Sequence, residues 1–304
     1  MFSSTILKVG HNLVFDLCSV AKYYGGKAPS KPYFDTMVGS FVYDNRNKNK
    51  CGLDDCLLRE FGYKMEKGVG AQVENYSFSE VAKYSYLDAK YTFLLWKAIV
   101  PKIQAADLTK IMKLEMDVLE VLCSMKLAGA PIDTDALQVL NDSLEKDIER
   151  CRADIYKAAG KVFNINSNPE KQVLLYSPVS EGGRGLKPKM LTGKGQKNEA
   201  EGKDLTYSDY SVSSEALELY GDRDPLVKAL LEYADLNKLH TTYVVPYLGG
   251  DVVRTTGGKS KIEYKESLLV NGKIHCDFIQ HGAETGRFSS RNPNLQNIPN
   301  PSAS

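Results

Sequence analysis

Three stretches within residues 77–158 repeat apolar side chains at three- and four-residue spacing, and that period commits the middle of the chain to helix. The first opens at Ser77 or Ser79 and carries Val81, Ala82, Ser85, Ala89, Thr92, Phe93 and Trp96 as its expected inward face. A second, resuming after Pro101, carries Ile111, Leu114, Val118, Val121, Leu122 and Met125. The third follows an N-cap at Asp133 or Thr134 and runs Leu137, Leu140, Leu144, Ile148, Cys151, Ile155 and Ala158. Gly129-Ala130-Pro131 separates the last two, so a helical hairpin is expected there. The stripe stops at Gly160 and does not recur, which favours packing within the chain over a coiled coil.

Around this helical centre the pattern changes. Residues 5–10 read as a short inner strand that turns at Gly10-His11-Asn12 into a helix through Leu13, Asp16, Leu17, Val20 and Ala21. Residues 34–37 and 53–61 read as helical scaffold. Asp224-Pro225 is an N-cap and first-turn pair for a helix with Val227, Leu230, Leu231 and Ala234 inward. Asn271-Gly272, between Leu268-Leu269-Val270 and Ile274-His275-Cys276, signals a hairpin. The length of 304 residues suits roughly two domains. No apolar run approaches a membrane span and residues 1–10 lack the pattern of a signal peptide, so a cytoplasmic setting with no membrane is expected. The six cysteines are scattered without zinc-site spacing and read as structural thiols.

With 39 basic and 38 acidic residues, net charge neither suggests nor excludes nucleic acid. Distribution is more informative. Arg184, Lys187, Lys189, Lys194, Lys197 and Lys203 gather in a glycine-rich segment that reads either as a solvated linker or as a flexible phosphate-neutralising arm.

Two short motifs could carry chemistry. Asn12-Leu13-Val14-Phe15-Asp16 puts a carboxylate one turn into the first helix, and Tyr84-Ser85-Tyr86-Leu87-Asp88 puts a phenol and a carboxylate four residues apart, on one helix face. Either alone is as consistent with a surface or capping charge. A third stretch, Thr285-Gly286-Arg287-Phe288-Ser289-Ser290 followed by Asn292-Pro293-Asn294-Leu295-Gln296-Asn297-Ile298-Pro299, can form neither a buried strand nor an amphipathic helix. Its turn residues fit a surface loop. Its many donors beside a permanent guanidinium charge suit a groove lined with acceptors.

This last stretch resembles the palm entrance of family A DNA polymerases, the DNA polymerase I type of phages and bacteria. The N-x-x-(F/Y)-D and Y-x-x-x-D pair resembles the second and third motifs of 3'-5' proofreading exonucleases of the DnaQ and RNase D type. The resemblance also covers Met125-Lys126-Leu127-Ala128-Gly129-Ala130-Pro131-Ile132-Asp133, Phe163-Asn164-Ile165-Asn166-Ser167 and, with Ala234-Asp235 as a departure, the run through Tyr233, Lys238 and residues 241–243. It implies an α/β plus mostly α fold: a partial ribonuclease H-like exonuclease domain (1–105), a connecting helix (106–132), a polymerase thumb (133–222) and the start of a palm (223–304). It implies Asp16 and Asp88 as ligands of Mg²⁺ or Mn²⁺, Tyr84 as the residue orienting the nucleophile, and Asn12 beside a frayed strand. Arg287 and Gln296 are implied to face the primer-template minor groove, where nearly invariant acceptors allow pairing to be read without sequence, and Asn12 and Asn294 are implied to bind DNA as well. Lys187, Lys189, Lys194 and Lys197 are implied to contact phosphates.

The first exonuclease motif, D-x-E, has no counterpart before Asn12, and Asp147-Ile148-Glu149 lies too late and in a helical pattern. The palm motif D-Y-S-x-I-E is not found either. The metal site is therefore expected to be incomplete in this chain, which is expected to bind primer-template DNA without proofreading or extending it. Neighbouring chains of a split polymerase could supply the missing parts. An inactive DNA-binding truncation product and a free-standing RNase D-type exonuclease are the alternatives, the last opposed by the terminal motif.

Overall fold

In the computed structural model, the described residues are 5–47, 50–65, 73–256 and 259–298, and they are mostly helical. They form two compact units, one made of Met1–Ala130 with Lys273–Ser304, the other of Pro131–Gly272.

The first unit begins with β1 (Lys8–Gly10), α1 (Leu13–Tyr23) and β2 (Tyr33–Asp35), with the strands parallel and Gly10 opposite Asp35. A helix must connect two parallel neighbours in this way, because a tight turn cannot reverse the chain twice. Then come α2 (Thr36–Tyr43), α3 (Leu53–Phe61), α4 (Phe78–Ala105) and α5 (Thr109–Ala128). Leu13, Leu17 and Ala21 of α1 meet Leu95, Ile99 and Ile103 of α4 and Met112, Met116, Leu119 and Cys123 of α5 in one core.

Asp35 ties this region together. Its buried carboxylate accepts from the backbone N–H groups of Asn12, Leu13, Met37 and Val38, so one side chain serves the N-termini of both α1 and α2. The helix expected from residue 34 therefore starts at Thr36, with Phe34 and Asp35 in the strand.

Of the faces expected inward on the two long helices, only Thr92 on α4 and Leu122 on α5 are buried. On α4 the buried side chains are Thr92, Leu95, Ile99 and Ile103, while Ala82, Ser85, Ala89 and Phe93 are exposed. On α5 they are Met112, Met116, Leu119, Leu122 and Cys123, leaving Ile111, Leu114, Val121 and Met125 exposed. Both sequences hold two apolar registers, and contacts with α1 and α2 select one. Nor does Pro101 interrupt α4, which continues to Ala105. Pro101 lies on an exposed face near the helix end, where solvent can reach the carbonyl its ring leaves unbonded.

The second unit follows the short strand β3 (Ala130–Pro131). It contains α6 (Thr134–Ala159), α7 (Asn168–Tyr176), α8 (Gly193–Ala200), α9 (Ser214–Glu218), α10 (Pro225–Leu239) and α11 (Val245–Leu248). The expected hairpin of α5 with α6 is not the packing unit, since the two helices fall in different units. Instead α6 packs along α10 through Ile148, Cys151 and Ile155 against Leu226, Val227 and Leu230. Each such buried aliphatic contributes about 1.5–3 kcal/mol. Asp224 caps α10 as expected, accepting from Leu226 and Val227 N–H. Asp147 and Glu149 sit on α6 beside Arg150 and Arg152 at i,i+3 spacing, as ordinary helix-surface pairs.

A two-stranded ribbon is formed by β4 (Gly250–Thr256) and β5 (Lys259–Lys265), antiparallel, which the sequence reading passed over. Asn271 and Gly272 adopt the left-handed φ values of 52° and 71° that their turn requires, but beyond them β6 is only Lys273–Ile274. The chain closes with β7 (Asp277–Ile279) antiparallel to β8 (Ser289–Arg291) and a short 3₁₀ turn at Leu295–Asn297.

Candidate functional site

Asn12, Asp16, Tyr84 and Asp88 line one cavity of about 800 Å³ in the first unit. Asn12 takes φ 64°, a left-handed conformation that Asn tolerates better than most residues, and this bend turns β1 into α1. One turn on, Asp16 is open to solvent at the cavity wall, and the desolvation on its protein side raises its pKa. Tyr84 and Asp88 lie on the same side of α4 as its core residues. Burial raises the pKa of Asp88, and the charge of Asp54 adds to it, against a lowering hydrogen bond from Tyr84. Burial, Asp88 and Asp54 all raise the phenol of Tyr84.

Asp54 was missed by the sequence reading, which took residues 53–61 as scaffold. It sits in the first turn of α3 beside Asp55, and two acids in a first turn look alike in sequence as partners of the helix dipole. Only the fold shows that Asp54 lines the cavity. His11 also lines it. Thr36 Oγ1 donates to Gly10 C=O at 3.0 Å, so the His11 Nδ1 at 2.9 Å must be the donor to that oxygen. Burial lowers the His11 pKa to about 4.

Among the described residues, no three His, Cys, Asp or Glu side chains converge closely enough to hold a metal ion. The carboxylates in this cavity thus do not fit a two-ion centre as they stand, and no hydrolytic step follows from them.

The terminal motif, expected as loop from its residues, is not all loop: Ser289–Arg291 form β8 with Ser290 buried, because pairing with β7 takes up their backbone groups, and β7 is anchored on α5. Asp277 is gripped by Lys126 at 2.5 Å, Asn292 Nδ2 at 3.1 Å and Arg291 at 3.7 Å. Burial pushes its pKa up, but these partners outweigh burial and hold it below the usual carboxylate range. Buried Gln280 donates to the Glu115 carbonyl at 3.0 Å and carboxylate at 2.6 Å. Within the loop, Asn294 Oδ1 accepts from Gln296 N–H and from Ser290 Oγ, and Gln296 Nε2 donates to Phe288 C=O at 2.7 Å. Asn294 and Gln296 therefore brace the loop. Arg287 does not: it is exposed and makes no hydrogen bond or ion pair among the described residues. Pro299 lies outside those residues.

In the second unit the basic segment is built rather than slack. Arg184 is engaged by Asp224 at 2.8 Å and donates to Ala158 C=O. Thr192 caps α8, and a Cβ on Gly195 would lie 2.1 Å from Asp209 C=O, so this glycine is there for close packing. Lys187, Lys189, Lys194 and Lys197 all reach solvent. A separate cavity of about 380 Å³ is lined by Asn166, Lys171, Ser213, Ser214, Lys238 and Thr241 among others, with no carboxylate on its wall. Burial lowers the pKa of Lys171. Two ammonium groups, amides and hydroxyls without an acid make a wall suited to an anion. The FNINS stretch signals part of it, since Ser167 caps α7 there, but Lys171 carries no motif of its own.

The chain matches the family model described as DNA polymerase family A over residues 134–304, and that described as 3'-5' exonuclease over residues 1–104. It is 30% identical to DNA polymerase I of Chloroflexus aurantiacus, over 96% of this chain and 28% of that protein. It is 28% identical to DNA polymerase I of Treponema pallidum, over 88% of this chain and 24% of that protein. The chain thus spans about a quarter of the length of these relatives. Among solved structures, the POL domain of Pol1 from M. smegmatis, in complex with DNA primer-template and dNTP, shares the fold with a TM-score of 0.70 at 22% identity, over 97% of this chain and 43% of that one. No helix among the described residues is long and apolar enough to cross a membrane. With the polymerase model matched over more than half of its length, this chain belongs to DNA polymerase family A.

Proposed function

We propose that this chain is the DNA-facing part of a DNA polymerase I-type enzyme, binding primer-template duplex through exposed cations on an ordered framework. The observation that carries this reading is Arg287, a permanent charge with no hydrogen bond or ion pair among the described residues, held on a loop whose own amides are spent on bracing it. An arginine so placed is free to donate to minor-groove acceptors. Asn294 and Gln296 then act by shaping the loop, and direct base contact rests on Arg287. Lys187, Lys189, Lys194 and Lys197, with Lys171 and Lys238 in the carboxylate-free cavity, supply phosphate contacts of the kind that dominate non-specific affinity.

In this reading residues 1–105 are a ribonuclease H-like exonuclease domain, 133–222 a thumb and 223–304 the start of a palm. Asn12, Asp16, Tyr84 and Asp88 form a site for a frayed 3' end. Mg²⁺ or Mn²⁺ belongs to the chemistry of the family, and completing a centre here requires carboxylates beyond those in the cavity, for which neighbouring chains of a split polymerase are one source. The compartment implied is the cytoplasm, where such DNA is met. An inactive DNA-binding product is the second reading, favoured by the carboxylates that do not converge.

The test is fluorescence anisotropy of a labelled primer-template with the wild-type chain and Arg287→Ala. The exchange should weaken binding about tenfold, in line with the roughly 1–3 kcal/mol of a good groove contact. Unchanged affinity would remove Arg287 from the interface.

A further inference from the structure

The outward face of α5 carries Ile111, Leu114, Val118, Val121 and Met125, at spacings of three, four, three and four residues. Val118 is half-buried, and the other four reach well into solvent, from 46% exposed at Met125 to 62% at Leu114. The helix already makes its core contact on the opposite side, through Met112, Met116, Leu119 and Cys123. One apolar stripe is what such a helix needs, and single exposed aliphatics are ordinary. Five in register along about 21 Å of helix form a second stripe. The partner expected for it, α6, belongs to the other unit.

We propose that this stripe is a self-pairing surface, on which α5 packs in parallel against α5 of a second copy of the chain. The spacing is that of heptad positions a and d, with Ile111, Val118 and Met125 at a and Leu114 and Val121 at d. β-Branched residues at a with leucine at d suit a two-stranded parallel seam. The flanking charges agree with it. Lys110 precedes the first a position and Glu115 follows the first d position, so in a parallel pair the Lys110 ammonium of each copy meets the Glu115 carboxylate of the other. An antiparallel pair sets like flank against like flank and separates these charges. Glu115 is already ordered by Gln280 Nε2 at 2.6 Å. A net charge of +1 leaves two copies little long-range repulsion. An unrelated apolar helix would fit the stripe as well, but self-pairing also accounts for the complementary flanks. The seam is about two heptads long, so the dimer is expected to dissociate on dilution through the micromolar range. The proposal does not depend on DNA binding.

The experiment is sedimentation velocity of the full chain without DNA, from about 1 µM to about 100 µM, the expected result being a shift from monomer to dimer with concentration. Leu114→Gln with Val121→Gln, both at exposed positions, should raise the dissociation constant about tenfold or more. The far-ultraviolet circular dichroism and thermal midpoint of the dilute variant should match wild type, which reports that it folds. Lys110→Glu should also weaken the dimer, and more at low salt than at high salt. Val118→Cys tests direction, because the two a positions face each other only in a parallel pair. Two such thiols exchanging with oxidised glutathione give one interchain disulfide and two molecules of reduced glutathione, whereas wild type, whose six cysteines are all buried, should stay uncrosslinked. A chain that remains monomeric at the highest concentration, or a glutamine double variant whose dissociation constant stays within about twofold of wild type, overturns the proposal. So does a dimer in which Val118→Cys fails to cross-link.

Discussion

At the scale of single residues, half-buried His11 on the cavity wall and buried Asp35 at the N-termini of α1 and α2 belong to no motif. His11 is held neutral by burial, with its pKa lowered to about 4 from an ordinary 6.5. The unfolded chain thus binds a proton at this position between those values while the folded chain does not, so stability present above pH 6.5 is lost as pH falls toward 4. The full effect is on the order of 3 kcal/mol at 1.36 kcal/mol for each unit. Urea unfolding at pH 7 and pH 4.5 should show a larger loss for wild type than for His11→Gln, and equal losses would contradict the assignment. Asp35 was legible only as part of the helical stretch expected over residues 34–37, because a carboxylate that caps two helices leaves no sequence signature beyond that of capping one. Asn12 was legible as a motif residue, and the structure adds a second reason for it in its left-handed backbone.

At the scale of elements, existence was easier to read than orientation. The strand before Asn12, the cap at Asp224 and the long helices follow from period and capping chemistry. The inward faces of α4 and α5 do not, because each helix carries apolar residues on more than one side and the choice is made by neighbours distant in sequence. Phe93 shows the cost: periodicity placed it in the core, and the fold places it in solvent at the cavity mouth. Capping makes a direct test. Asp35→Ala should destabilise the first unit by about 1–2 kcal/mol for each of the two helices it serves, with Asp35→Asn milder because one acceptor remains; chemical denaturation measures both, and losses below 1 kcal/mol for the alanine variant would argue against shared capping. The glycine-rich basic segment makes another. Because a Cβ at position 195 would meet Asp209 C=O at 2.1 Å, Gly195→Ala should cost about 1–3 kcal/mol by overpacking, whereas in a slack linker the same change would be neutral or slightly stabilising. The sequence reading allowed flexibility here because lysine and glycine are shared by linkers and by tightly packed turns.

At the scale of the whole molecule, the terminal motif pointed to the family from a few residues, while the second unit's anion-suited cavity could be read only at its FNINS edge, since Lys171, Ser213 and Lys238 are separated by tens of residues and meet only in the fold. The cavity of the first unit was half legible: Asp16, Tyr84 and Asp88 came from motifs that resemble those of proofreading exonucleases, Asp54 and His11 from packing. With carboxylates that do not converge on a metal position, the purified chain should leave single-stranded DNA intact in Mg²⁺ or Mn²⁺ over hours, and degradation abolished by Asp88→Ala would overturn that expectation. The central claim is that the chain presents a duplex-binding surface made of exposed cations, and the most direct measurement is the affinity of the wild-type chain for primer-template duplex as a function of salt. The account predicts a linear fall of log affinity with log salt, with a slope of several units at about 0.9 for each phosphate contact and little change when the duplex sequence is varied; no measurable binding at low salt, or a slope near zero, would contradict it.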